Sequence, residues 1–211
     1  NGGRVINFNE IQSLANKNQS PDYRWKFDEY LTQDEDYLTV PIAKDYIGYS
    51  VGEIHGEIPR VEGKIGYSAA KFIENEQNYI TIDNIETSNS KTYSLSFWVK
   101  ATNGYPSNSY TILKKRDSKN QYQVTLLSDG KIRFHLWGSN YHYIDSTPIG
   151  SEWVNIIIIV NNLDKKVSLY KNGIIDLESI FTFEPWYGTD QLIIGDKDNP
   201  TTSELLLDDV R

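Results

Sequence analysis

Hydrophobic and polar positions alternate over short runs through most of the second half of the chain. In Tyr93-Ser-Leu-Ser-Phe-Trp-Val99, Tyr93, Leu95, Phe97 and Val99 share one face, and Ser94, Ser96 and Trp98 share the other. Residues 109–116 and 121–127 predict a hairpin across Asp117–Asn120. Asp129-Gly130 is a tight-turn signal leading into Ile132–Trp137, and Asn172-Gly173 joins Val167–Lys171 to Ile174–Leu177. Ile156–Ile159 is continuously apolar, the pattern of a central strand covered on both sides. Leu192-Ile-Ile-Gly195 and Leu207–Arg211 read as further strands, and no stretch predicts a helix of any length. Strands bounded by regular turn signals predict an all-β, two-sheet antiparallel sandwich. No period long enough for a solenoid or propeller repeats.

The first half is less regular. Residues 1–22 are polar and mixed, and read as a linker or partly docked lead-in ending at Gln19-Ser20-Pro21. Asn18-Gln-Ser20 has the form of a glycosylation sequon, a triplet common by chance. Arg24-Trp25-Lys26-Phe27 alternates and opens a single domain over residues 23–211. Residues 30–62, with Gly48, Gly52 and Gly56, read as loop and short strand. Gly63–Phe72 and Asn78–Ile82 read as two strands joined by a polar turn.

Composition removes several function classes. The formal charge is −8, and Lys114-Lys115-Arg116 is only a three-residue basic cluster, so the electrostatic footprint of a nucleic-acid binder is missing. No apolar run approaches the ~20 residues that span a bilayer, so no membrane insertion is expected. With no cysteine there are no disulfides, thiolate nucleophiles or cysteine zinc sites. Hydrophobic content is a low 38%, and 15 Tyr and 5 Trp supply the missing core volume. The opening Asn1-Gly-Gly-Arg and the ending within a strand read as a fragment or mature domain.

Catalytic signatures are missing. Hydrolysis by a retaining glycosidase needs two carboxyls about 5–5.5 Å apart, and alternate acids along one strand provide that. No Glu-x-Asp-x-Glu triplet exists; Asp34-Glu35-Asp36 sits in a loop, and Glu53 and Glu57 are separated by a glycine. His55, His135 and His142 are scattered, and no Gly-x-Ser-x-Gly elbow occurs. The expectation is a domain that is not an enzyme.

Trp25-Lys-Phe-Asp28-Glu29, Val61-Glu-Gly63 through Ile82, Leu95-Ser-Phe97-Trp98-Val99, Trp153-Val-Asn-Ile, Leu169-Tyr-Lys-Asn172-Gly173 and Leu207-Asp-Asp-Val-Arg211 follow one another in a distinctive order. That order, from about Tyr23 to Arg211, resembles the laminin-G-like jelly roll of the concanavalin-A-like lectin/glucanase superfamily. The resemblance implies an opening strand at Trp25, a hairpin from Val61 to Ile82 and a closing strand at Leu207. It implies carbohydrate recognition as the usual function. It also implies a structural calcium, Ca2+, held where the first and last strands meet, with Asp28 and Asp209 as ligands; hard oxygens suit that ion. The plainer reading makes these acids edge and strand-end charges.

The family pattern accounts for Trp25, Trp98 and Trp153 as packing residues. It does not account for Trp137 and Trp186. Trp137 falls on the face opposite Ile132, Phe134 and Leu136, followed by a polar aromatic loop from Gly138 to Tyr143. Pro185-Trp186-Tyr187-Gly188 is a turn with two large rings. Exposed rings stack on sugar C–H faces while polar groups take the hydroxyls. The expected ligand surface is therefore Trp137, Tyr141, Tyr143, Trp186 and Tyr187, with Arg133, His135 and Asn140 as polar contacts. Tyr105 is a weaker candidate. The alternative is that these rings cap the open ends of the sandwich. The expected partner is a glycan or polysaccharide, bound by a module of a larger extracellular or surface-exposed protein. The rival is a structural or adhesion domain of a phage virion or cell-surface assembly, which contacts protein partners instead.

Overall fold

The computed structural model describes residues 23–28, 42–45, 50–74, 76–87, 92–116, 119–198 and 203–211. Among them there is no helix, and fifteen strands form two antiparallel sheets. With strands numbered in chain order, the eight-stranded sheet runs β1 (Ile42–Lys44), β2 (Val51–His55), β5 (Tyr79–Thr87), β14 (Gly188–Gly195), β7 (Tyr110–Arg116), β8 (Asn120–Leu126), β9 (Ile132–Trp137), β10 (Tyr141–Asp145). The seven-stranded sheet runs β13 (Ile174–Ile180), β12 (Lys166–Lys171), β11 (Val154–Asn161), β6 (Thr92–Ala101), β15 (Leu205–Asp208), β4 (Ser68–Phe72), β3 (Arg60–Glu62). The two-sheet antiparallel sandwich expected from the pattern, and the jelly roll implied by the resemblance, are the observed architecture.

The core lies between the sheets. Ile80, Ile82, Val124, Leu126, Phe134 and Leu136 face it from one side, and Phe97, Val99, Ile156, Ile158, Leu169 and Leu207 from the other. The period of two does this: in β9, Ile132, Phe134 and Leu136 are buried while Arg133, His135 and Trp137 are half-exposed. β11 lies centrally between β12 and β6, which explains its unbroken apolar run, and Ile157 is buried even on its outward face. Asn172 and Gly173 both take positive φ, 51° and 78°, the geometry of a two-residue hairpin turn. Lys115 is fully buried, and its ammonium donates to the carbonyls of Ile85 and Gly188 beside an irregularity in the β5–β14 ladder.

Three expectations need correction. The Val61–Ile82 stretch is not a hairpin of consecutive strands: β4 pairs with β3 and β15, whereas β5 joins the other sheet. Gly138–Tyr143 is not all loop, because Tyr141 opens strand β10. Of the three tryptophans read as core, Trp25 is buried, but Trp98 and Trp153 are only partly so. Trp98 faces outward beneath the Lys64 ammonium, 5.4 Å from its ring centre. The lead-in 1–22, Asn18 and the acidic triplet at 34–36 lie outside the described residues.

Candidate functional site

β10 is the edge strand of the eight-stranded sheet, and its register on β9 sets the site. Tyr141 pairs with Trp137, Tyr143 with His135, and Asp145 with Arg133. Since Ile132, Phe134, Leu136 and Ile144 fill the core, these six residues form one outward strip. Tyr141 and Tyr143 are 53% and 46% exposed, high for large rings. Their rings stack with centroids 6.0 Å apart and planes 19° apart. His135 stacks on Trp137 at 5.1 Å and 13°, and lies 6.4 Å from Tyr141 and 6.2 Å from Tyr143. The outcome is an open floor of rings whose planes lie 13–22° apart, except for a 41° tilt between His135 and Tyr143.

The charged end of the strip is internally compensated. Arg133 donates to both Asp145 oxygens, Nε at 2.6 Å and Nη2 at 2.7 Å, while its guanidinium carbon sits 4.5 Å over the Tyr143 ring. The Asp145 carboxylate accordingly raises the Arg133 pKa. Burial first, and the Arg133 charge second, push His135 down from 6.5 to about 4. Its Nδ1 is covered and makes no hydrogen bond among the described residues. His135 therefore serves as a neutral ring above that pH.

The other expected residues divide. Trp186 lies beside the strip: its backbone N–H donates to the Trp137 carbonyl at 2.9 Å, and Pro185 bridges Gly138. Glycine is required at 138, because a Cβ there would sit 2.0 Å from the Glu184 carbonyl oxygen. Lys119 places its ammonium 4.8 Å over the Trp186 ring. Tyr187 is not part of the strip. It neighbours Tyr93, whose phenol pKa is raised by burial first, then by Tyr122 and Tyr187. Asn140 serves the turn: its side-chain oxygen accepts from Tyr141 N–H at 2.8 Å, and its carbonyl accepts from Gly138 N–H at 2.8 Å. Tyr105 is only partly buried, and its hydroxyl accepts from the Gly150 N–H. Asp145 and Lys119 were not singled out by sequence reasoning. The alternation Tyr141-His-Tyr143-Ile-Asp145 carried the signal for Asp145, which the loop reading of Gly138–Tyr143 concealed. Lys119 meets Trp186 only through tertiary folding and left no sequence signal.

The acids expected to hold calcium are otherwise engaged. Asp209 gives Oδ1 to Arg24 Nε and Oδ2 to Arg211 Nη2, both at 2.7 Å. Asp28 instead receives the Tyr67 and Ser68 N–H groups at 2.7 and 2.9 Å, turned toward a different loop. In the acidic loop that follows β14, Asp196 takes the Thr111 and Asp198 N–H groups, and Asp198 pairs with Lys114. Among the described residues no three His, Asp or Glu side chains gather where they could hold a metal ion. A calcium shared by Asp28 and Asp209 does not fit this arrangement, since each Asp209 oxygen already holds a cation. No helix among the described residues is long and apolar enough to cross a membrane.

Solved structures share this architecture. The binding domain of Paraclostridial Mosquitocidal Protein 1 superposes with TM-score 0.68 at 18% identity, over 79% of this chain and 45% of that one. The botulinum neurotoxin type G receptor binding domain gives 0.67 at 16%, over 91% and 47%. The botulinum neurotoxin DC binding domain, described in complex with SialylT, gives 0.65 at 14%, over 80% and 44%; in complex with rat synaptotagmin II it gives 0.62 at 15%, with the same coverage. The chain thus spans less than half the length of the binding domains it matches. No curated protein sequence matches it significantly. At these identities the likeness shows the fold. The sequence itself matches the family model Laminin_G_3 over residues 74–211, well over half of the chain and all of the strip. With that match and the two-sheet architecture, the chain belongs to the concanavalin A-like lectin/glucanases superfamily.

Proposed function

We propose that the chain is a non-catalytic carbohydrate-binding domain of a larger extracellular or surface protein, and that the outward strip of β9 and β10 is its binding surface. One observation carries the reading: Trp137, His135, Tyr141 and Tyr143 share one face, with ring planes 13–22° apart except for the 41° tilt between His135 and Tyr143, and both tyrosines are about half exposed. Leaving rings uncovered sacrifices burial energy, and a stacking surface for sugar C–H faces explains that arrangement. Superfamily membership favours the same ligand class, as does the relative described with SialylT. The test is a glycan array probed with the wild-type domain and Trp137→Ala, in calcium and in chelator. Hits lost in the variant and indifferent to chelator support the strip. Hits that survive Trp137→Ala remove the site from β9.

A protein contact is the second reading, favoured by β13. This edge strand exposes Ile174, Ile175, Leu177 and Ile180, and an exposed apolar edge is a template for association. A structural relative is described with the protein synaptotagmin II. An array without a hit, together with a stable oligomer in light scattering, turns the choice toward this reading.

A further inference from the structure

The strip's charge pattern narrows the ligand. This step rests on the carbohydrate reading and concerns the same site. Recognition of an acidic sugar calls for a cation with a free fork or ammonium to receive a carboxylate or sulfate. The only guanidinium on the strip, that of Arg133, is already gripped at both donors by Asp145 and covers the Tyr143 ring. An acidic ligand would have to displace the Asp145 carboxylate, which would remain beside it and repel it. The next strand inward adds no charge: Gln123 lies opposite His135 and Thr125 opposite Arg133, and the Gln123 amide donates to Thr111 and Thr125 hydroxyls. Beyond the Arg133 end, Lys131 is matched by Asp129 at 2.6 Å. Beyond the Trp137 end, Glu184 is matched by Lys165 at 2.6 Å. Past Asp145, Lys171 donates to Thr147 Oγ1 and the Pro148 carbonyl, and Thr147 is held by Asp176. Lys119 lies over Trp186 at the margin rather than over the exposed tyrosines.

We propose that the β9–β10 strip binds uncharged hexopyranose residues and discriminates against the same glycan bearing a carboxylate or sulfate at the stacked unit. The rings take the C–H face of the sugar, and neutral polar groups at the margin take its hydroxyls. His135 adds a ring and no charge above about pH 4, because burial and Arg133 depress its pKa.

The test uses matched pairs of oligosaccharides, each neutral glycan beside its sialylated or sulfated form, titrated calorimetrically into the whole chain. The neutral member is expected to bind at least about tenfold more tightly, and its affinity to change less than about twofold on raising salt across the range that screens surface charge. Asp145→Asn, which loosens the grip on the Arg133 fork, is expected to raise affinity for the acidic member and shrink the discrimination. If the acidic member binds as well or better, weakens with salt and is lost in Trp137→Ala, this inference falls while the carbohydrate reading stands. If Lys119→Ala alone removes that acidic binding, the ligand is read from the Trp186 margin, and the inference falls in the same way. If neither member binds, the carbohydrate reading fails and this inference goes with it.

Discussion

The outer face of the eight-stranded sheet carries a histidine–tyrosine cluster at each flank, and only one is open. On β2 and β5, His55 stacks on Tyr79 at 4.4 Å and 16°, and shares a hydrogen bond with Thr81 Oγ1 at 2.9 Å. Lys197 lies 5.9 Å from the centre of the Tyr79 ring. His55 and Tyr79 thus each have partners from their own chain, and Tyr79 is half-buried. On β9 and β10 the same residue types are spread into a row, and Tyr141 and Tyr143 keep large exposed faces. Histidine and tyrosine are common to both flanks, and the open one adds Trp137. What separates them further is spacing: the His55 and Tyr79 centroids are 4.4 Å apart, whereas those of the strip are 5.1 to 6.4 Å apart, with Tyr141 and Tyr143 about half exposed.

The sharpest break in that comparison is Trp137→Ala. It removes the widest ring of the open floor without entering the core, so glycan affinity is expected to fall at least about 30-fold, roughly 2 kcal/mol. The midpoint of urea unfolding should barely move, because Trp137 is only half-buried. A large stability loss with unchanged affinity would reassign Trp137 to packing.

Gly138→Ala ranks next. The added carbon would meet the Glu184 carbonyl oxygen at 2.0 Å, and that contact is backbone, so the segment carrying Trp186 must retreat. A stability cost of about 1–2 kcal/mol is expected, together with a several-fold loss of affinity if Trp186 borders the ligand. Stability falling while affinity holds would confine the binding surface to β9 and β10. Tyr79→Ala reverses the pattern. It removes the His55 stack and the Lys197 contact, costs about 1 kcal/mol of stability, and should leave glycan binding untouched. Any loss of affinity in Tyr79→Ala would mean that the closed flank is also a binding surface.

The fold was legible in the sequence wherever one face is buried, because period two then fixes both strand and register. β6 and β9 show this, whereas β11 was legible as an unbroken apolar run and the Asn172-Gly173 turn by its residue types. Pairing between distant strands was not legible: nothing in Gly63–Ile82 announces that β4 and β5 belong to different sheets. The strip was partly legible. Arg133, His135 and Trp137 alternate on β9, so their shared face follows from their spacing. Tyr187 and Asn140 were drawn in by proximity in sequence, but direction in space differs at a turn: Tyr187 sits with the tyrosines near Tyr93, and Asn140 closes the hairpin backbone. The calcium expectation failed to fit for a related reason. The positions of Asp28 and Asp209 were readable, but their partners Arg24, Arg211, Tyr67 and Ser68 depend on chain crossings that no local pattern encodes.

The smallest expected effects are in pH, and they set the open strip against a closed site on the other sheet. Asp208 faces outward from β15 opposite Trp98, yet it is fully buried, and its Oδ2 accepts the Lys64 and Ile65 N–H groups at 2.7 Å each. Burial outweighs those bonds, and with some help from Asp209 it lifts the carboxyl from 3.8 to about 6. The folded chain then binds this proton more tightly than the unfolded chain, so Asp208 contributes stability as pH falls from about 6 toward 3.8. His135 works in the opposite sense. Its pKa drops from 6.5 to about 4 on folding, so the unfolded chain is protonated first and stability is lost as pH falls through that window. The two contributions oppose each other between about pH 4 and 6. Asp208→Asn keeps an oxygen for the Lys64 and Ile65 N–H groups and removes the buried charge. It is expected to stabilise the domain at pH 7 by on the order of 1 kcal/mol, and to steepen the loss of stability on acidification. His135→Gln should do the reverse and flatten that loss, since only the Asp208 contribution then remains in the window. Urea unfolding at pH 7 and pH 4.5 on both variants reads the two slopes separately. If they change in the same direction, at least one of these groups is not held as the fold implies; if only the His135 slope is missing, the ring is more open to water than its stacked neighbours allow.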